Sequence, residues 1–284
     1  METPRGLTAL VPAADRRTLV MGVLNITPDS FSDGGQFLDP AAAVAQARQM
    51  MADGADIIDI GGESTRPGAD PVPAAEEMRR ILPVIRSLRE AGLGPISVDT
   101  YKAEVAAAAV DAGAVIINDI GGLTLDPDVA TVAARTGAYL VVMHLRGTPR
   151  TMQQHTDYDD VVAEVIAFLR RQLQRAQEAG VPPDHLIADP GIGFGKTASQ
   201  NLEILRRLSE FAVLQVPILV GTSRKGFIGR VLGLPVDQRL EGTAATVAAA
   251  ILHGAAIVRV HDVLPMVRVA RMTDAILGRW QPEE

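Results

Sequence analysis

The chain has 284 residues, 47% hydrophobic and 21% charged, which excludes disordered and collagen-like classes and allows one large core or two small ones. A formal net charge of −7 argues against a general nucleic-acid binder, so any phosphate site must be local. With no cysteine, disulfides, thiolate zinc sites and cysteine nucleophiles are excluded, which fits a reducing, cytoplasmic setting.

The N-terminal stretch LTALVPAA is broken too soon by Pro12, Asp15, Arg16 and Arg17 to serve as a signal sequence. No run of about 18 apolar residues, the length needed to span a membrane, occurs anywhere. A first predicted strand, LVMGVLN (19–25), leads into NITPDSFSDGG (25–35), a long loop of small and acidic residues with one aromatic, Phe31, the composition of a lid. Pro40 after Asp39 marks a helix start, since the first turn tolerates a missing N–H. A second strand, ADIIDIGG (55–62), precedes a helix with Met78, Ile81, Leu82, Ile85 and Leu88 on one face. Pro83 lies inside that pattern and predicts a kink or a later start. The strands PISVDT (95–100), AVIINDI (114–120) and AYLVVMH (138–144) follow, then a helix with Val161, Val162, Val165, Ile166, Leu169 and Leu173 on one face. LIADPG (186–191), PILVGTS (217–223) and AIVRVHD (256–262) complete the series.

Near-continuous apolar runs suit strands buried on both faces of a parallel sheet. About eight strand–helix pairs, with no Gly/Ser linker or charge block between them, predict an α/β fold. The predicted architecture is a single (β/α)8 TIM barrel over residues 1–284, with its core from about 18 to 280. A doubly wound open sheet is the rival, and it would leave terminal strand edges exposed.

In a barrel the functional groups sit at the C-terminal ends of the strands. Those ends read Asn25, Glu63, Asp99, Asn118, Met143 with His144, Asp189, Ser223 leading to Lys225, and Arg259 with His261. A polar group at nearly every exit is what a ring-shaped polar site requires. Residues two apart share a face, so Ile116 goes with Asn118, Ile187 with Asp189 and Arg259 with His261, whereas Met143 and His144 cannot both point inward. A strand-end Asp such as Asp99 can instead cap the next helix. Asp119, out of phase with Asn118, reads as structural. Asp59, inside a strand, needs a buried partner, for which Arg259 is the candidate. Arg66 can equally be a solvated loop residue, and His155 and His253 read as surface or packing residues. DPGIGFGKT (189–197) fails as a P-loop because Pro190 stands where that motif wants glycine.

The segments MGVLNITPDSFSDGG (21–35), IIDIGGESTRPGA (57–69), SVDTYKAEV (97–105), IINDI (116–120), MHLRGTPRTMQ (143–153), ADPGIGFGKT (188–197), GTSRKGFIG (221–229) and RVHDV (259–263) occur in the order of one family. Together they resemble the dihydropteroate synthases over essentially the whole barrel. Leu145, where relatives often carry methionine, is a small departure.

The resemblance implies condensation of a dihydropterin-methyl diphosphate with 4-aminobenzoate. It implies that Asp99, Asn118, Asp189 and Lys225 hold the pterin, with Asp99, Lys225 and Asp189 the catalytic set. It places diphosphate near Asn25, Thr65, Arg66, Arg259 and His261, with Mg²⁺ on Asn25, and aminobenzoate near Ser223, Phe194 and the lid loops. Met143 and Gly193 join the substrate-binding set. Small molecules are the expected partners, with no nucleic acid or membrane, and a homodimer through the late helices.

Chemistry makes these residue types sensible. A pterin's amino-pyrimidine edge offers donors that a buried carboxylate accepts, and a diphosphate needs local cationic compensation on a negative protein. The rivals are a non-catalytic pterin-binding paralogue, a barrel that transfers methyl groups from reduced folates to a corrinoid protein, and a Schiff-base aldolase using Lys225. Intact lid loops, Asp99 and Lys225 argue against the first; the TPDSFSDGG loop, Arg66 and the SRK segment argue against the second.

Overall fold

The computed structural model describes residues 6–15, 17–26, 40–66 and 68–279. Its eight strands are β1 (Leu19–Asn25), β2 (Ile57–Gly61), β3 (Ile96–Asp99), β4 (Ile116–Asp119), β5 (Tyr139–Met143), β6 (Leu186–Asp189), β7 (Leu219–Val220) and β8 (Ile257–Val260). All pair in parallel, in the order β6-β5-β4-β3-β2-β1-β8-β7. The two ends of that order meet at Ala188 and Ile218, where the Ala188 N–H donates to Pro217 O at 2.9 Å. The closed (β/α)8 barrel is therefore the architecture, and an open doubly wound sheet is excluded. This seam is the thinnest part of the wall. Pro217 has no N–H to give a ladder, so the predicted strand 217–223 contracts to two paired residues.

Strand parity sorts the side chains into two cores. Leu19, Met21, Ile57, Ile116, Val141, Ile187, Leu219 and Ile257 fill the barrel. Their alternates, such as Val20, Ile58, Val98, Ile117, Leu140, Ala188 and Val258, pack outward against the helices. A short helix α1 (Gly6–Leu10) lays Leu7, 1% exposed, against the inner core, which closes one end of the barrel.

The helices α2 (Pro40–Ala52), α3 (Ala74–Glu90), α4 (Ala103–Ala112), α5 (Asp128–Thr136), α6 (Val161–Glu178) and α7 (Ala198–Arg206) follow the first six strands in turn. Two helices, α8 (Gly226–Leu232) and α9 (Leu240–Leu252), follow β7, and α10 (Val263–Ile276) follows β8. Helix α2 begins at Pro40 as read from the sequence. Of the kink or later start expected at Pro83, the later start does not occur: α3 begins at Ala74 and runs through Pro83. Pro83 is exposed, so the carbonyl it cannot serve lies on the water side, where a proline costs least.

The chain ends are clamped together. Asp274 on α10, 3% exposed, accepts from Thr18 N at 2.9 Å, Thr18 Oγ1 at 2.9 Å and Arg279 Nη1 at 3.0 Å. Asp274→Ala leaves the buried Thr18 N–H unsatisfied and is expected to cost about 3 kcal/mol. Urea denaturation checks this; a loss below about 1 kcal/mol would show that the clamp contributes little.

Candidate active site

The alternate positions that fill the inside of each strand continue to the strand exits, on odd numbers except in β4, where Ile116 leads to Asn118. Asp99, Asn118, Met143, Asp189, Arg259 and His261 all face one hollow that opens toward solvent. Thr65, Phe194, Ser223 and Lys225 reach the same hollow from the loops. Ten of the thirteen sequence-derived site residues thus converge, from segments spread over most of the chain. Three stand outside the lining. Asn25 is half-buried at the end of β1, Arg66 is exposed, and Gly193 sits behind the lysine, where a Cβ would come within 3.0 Å of Lys225 Cδ.

Arg259 is the centre of the charge arrangement. Its Nε donates to Asp59 Oδ2 at 2.6 Å and its Nη2 to Asp99 Oδ2 at 2.7 Å. The strand-interior Asp59 has the partner that its burial demands, and Asn118 Nδ2 adds a bond to the same oxygen at 3.3 Å. Asp99 serves the hollow and not a helix cap: α4 begins at Ala103, whose N–H is met by Asp126 at 2.8 Å. Asp59 Oδ1, Asp99 Oδ1 and Ser97 Oγ are buried and have no hydrogen-bond partner among the described residues.

Burial dominates the proton affinities. It pushes the Asp99 carboxyl up to about 7, with Arg259 opposing and the Asp59 and Glu77 carboxylates adding to the rise. It pushes Asp189 up to about 6, against the Gly191 N–H, which donates to Oδ1 at 2.7 Å, and against the nearby lysines. Lys225 is pulled down to about 8 by burial and by Arg259, while Asp189 and Asp99 resist. Its Nζ sits 4.0 Å over the Phe194 ring. His261 is pulled down to about 4 by burial and the cations Arg259, Arg224 and Lys225. In the free protein it is therefore a neutral imidazole. Ser223 Oγ accepts from His261 N at 3.1 Å and lies 3.0 Å from Nδ1, a second hydrogen bond whose donor is set by the tautomer of the ring.

The ambiguous pair resolves cleanly. Met143 lines the hollow, while His144 turns outward into the layer between barrel and helices, 2.9 Å from Lys196 Nζ. Asp119 accepts from the N–H groups of Gly121 and Leu123 at 2.8 and 2.7 Å, the structural role its phase implied. His155 is exposed and His253 half-buried, both away from the hollow. Ile120, Ile192 and Gly221 also line it and were not singled out; carrying the period of two past Asn118 and Leu219 would have found the first and last. Also missed was an anchor for the 63–73 loop. Glu63 accepts from Tyr101 Oη at 3.0 Å and pairs with Lys102, which pairs in turn with Glu77. The lid aromatic Phe31 and residues 27–39 lie outside the described residues.

The donor set bears on Mg²⁺. No group of three or more acidic or histidine side chains that could hold an ion occurs among the described residues, so no all-protein cage is built. A Cβ at Gly61 would lie 3.8 Å from Asn25 Oδ1 and 3.7 Å from Asp99 Oδ2, which puts a carboxamide and a carboxylate on either side of a bare glycine. That fits an ion carried mainly by water and substrate phosphates, the usual habit of Mg²⁺.

Comparison with known proteins agrees with this geometry. The family model for "Pterin binding enzyme" matches residues 21–261. A dihydropteroate synthase of Bacillus subtilis is 52% identical over 264 residues, 93% of this chain and 90% of that one. The chain belongs to the dihydropteroate synthases. A crystal structure of a family member from Clostridium difficile in the presence of pteroic acid superposes with a TM-score of 0.87, at 47% identity, covering 92% of this chain and 97% of that one. A Xanthomonas albilineans dihydropteroate synthase with 4-aminobenzoic acid gives a TM-score of 0.87 at 44% identity, covering 93% and 94%.

The raised Asp189 carboxyl carries a stability consequence. The folded chain holds that proton up to about 6 and the unfolded chain releases it near 3.8, so the group works against folding as pH rises through that window. Asp189→Asn keeps an acceptor for Gly191 N–H. It is expected to stabilise the free protein by about 3 kcal/mol at pH 8 and by much less near pH 4. Urea midpoints at the two pH values check this, and an equal gain at both would contradict it.

Proposed function

We propose that this enzyme transfers a pterin-methyl group in folate biosynthesis. It joins (7,8-dihydropterin-6-yl)methyl diphosphate to 4-aminobenzoate and releases 7,8-dihydropteroate and diphosphate. The observation that carries this is the convergence of Asp99, Asn118, Asp189, Lys225 and Arg259 on one hollow. The relatives' names and the pteroic acid and 4-aminobenzoic acid titles of the solved structures support it.

In this reading the flat heterocycle enters between Asp99, Asn118 and Asp189, and its donors meet Asp189 and the buried Asp99 Oδ1 as charge-assisted bonds. Met143 and Phe194 supply apolar walls, and Lys225 faces the ring. The C–O bond to diphosphate breaks with its electron pair leaving on oxygen, and the pterin-methyl cation is stabilised by ring nitrogens and the Asp99 field. The aminobenzoate nitrogen forms the new C–N bond and loses its proton to the departing diphosphate or solvent. Thr65, Arg66, Arg259, Asn25 and His261 take the diphosphate end. The anion raises the proton affinity of the neutral His261 as it arrives. Bound Mg²⁺ on Asn25 Oδ1 would supply charge compensation to the leaving group. The 25–35 and 63–73 loops exclude water from the cation.

The cytoplasm is the compartment a cysteine-free chain suits. A homodimer through the late helices draws support from the surface. Of the eleven exposed large hydrophobics among the described residues, all but Val115 lie from Val213 onward, with Met272 at 62% and Ile276 at 67% on α10.

Purified protein incubated with the pterin diphosphate, Mg²⁺ and 4-aminobenzoate is expected to form dihydropteroate. Asp189→Ala is expected to weaken pterin diphosphate binding about 100-fold or more by calorimetry. Binding without product would favour the non-catalytic paralogue, and near-normal affinity in the variant would remove Asp189 from the pocket.

A further inference from the structure

The wall that carries Phe194 is held from behind by a second buried lysine. Lys196 is 3% exposed and does not line the hollow. Its Nζ lies 2.9 Å from each of three acceptors, Gly191 O, Phe194 O and His144 Nδ1. Three acceptors match the three N–H groups of an ammonium, and they hold that form against burial, which pulls the Lys196 amine down to about 7. Burial and the adjacent lysine hold His144 well below its ordinary range, so its ring is neutral and Nδ1 is free to accept. Phe168 fixes that ring edge-on at 4.8 Å. The loop has no slack around this anchor: Gly191 has φ +69°, and a Cβ there would overlap the His144 carbonyl oxygen. Its neighbour Gly193 is tied through its N–H to Asn201 Oδ1 at 2.7 Å.

A buried lysine is a costly way to fill space, since an apolar side chain of the same size needs no partners. Two of the three acceptors are main-chain carbonyls of the loop itself, one belonging to Phe194. On the far side of the same residue, the ring carries Lys225 Nζ at 4.0 Å. We infer that Lys196 is a positioning residue: by holding the Phe194 peptide it sets the ring against Lys225 and shapes the aminobenzoate end of the hollow. This rests on the proposed reading that aminobenzoate meets Phe194. Lys196 lies outside the hollow and acts on the aminobenzoate end through Phe194; its charge also opposes protonation of Asp189.

A double-mutant cycle tests it, with Phe194→Ala, Lys196→Met and the pair assayed at saturating pterin diphosphate. Each single change is expected to raise KM for 4-aminobenzoate about tenfold, and the pair to raise it no further than either alone. Affinity for pterin diphosphate, read by calorimetry, should move less than about threefold in Lys196→Met. Multiplying effects in the pair, or an unchanged KM in Lys196→Met, would overturn the inference. Should Lys196→Met fail to fold by circular dichroism, Lys196→Gln keeps one amide donor and is expected to give a smaller rise; a wild-type KM there overturns it as well. If Phe194→Ala leaves KM unmoved, the aminobenzoate end is misassigned and the inference falls with that reading.

Discussion

A guanidinium held between two carboxylates on the barrel axis is the interaction on which the rest of the molecule depends. Arg259 reaches Asp59 across 200 positions of sequence and Asp99 across 160, so the trio exists once the barrel has closed. Buried ions of this kind contribute little net stability when complete, but removing one partner costs roughly 3–5 kcal/mol. The cluster thus ties function to closure. A chain that misregisters β2, β3 or β8 strands a charge in the core.

The same cluster keeps unmet acceptors pointing inward. Asp59 Oδ1, Asp99 Oδ1 and Ser97 Oγ lack hydrogen-bond partners among the described residues, and Asp99 and Asp189 are pushed toward their neutral forms. Such an interior is under-satisfied until something with donors arrives. The cost is offset elsewhere, by the apolar layer beneath it, the helix-facing core and the Thr18–Asp274 clamp at the chain ends. Destabilised carboxyls over a rigid scaffold make a site that binds tightly without rearranging its strands.

Much of this was legible in the sequence because period two and strand-end chemistry are local signals. LVMGVLN, ADIIDIGG and AIVRVHD announced strands, and the phase of Asn118 against Asp119 separated a site residue from a turn-capping one. What stayed illegible depends on partners distant in sequence. Nothing local says that His144 rather than Met143 leaves the hollow; a lysine fifty-two positions later draws it out. Nor does a lone histidine reveal that three cations lower its proton affinity, as Arg259, Arg224 and Lys225 do for His261. Pro83 could not locate the start of α3, because the cost of a proline in a helix depends on which face meets water. Lys196 looked like part of a failed phosphate loop, and its three acceptors appear only when the loop folds back on itself.

The central claim is that burial holds the Asp189 carboxyl partly protonated until a ligand's donors draw it into its ionised form. Calorimetry of pterin binding in two buffers of different ionisation heat reads the proton exchange directly. Since Asp189 titrates at about 6 in the free protein and Asp99 at about 7, the wild type should release about half a proton more than Asp189→Asn on binding at pH 6, and nearly the same amount at pH 8. The same release from Asp189→Asn at pH 6 would contradict it.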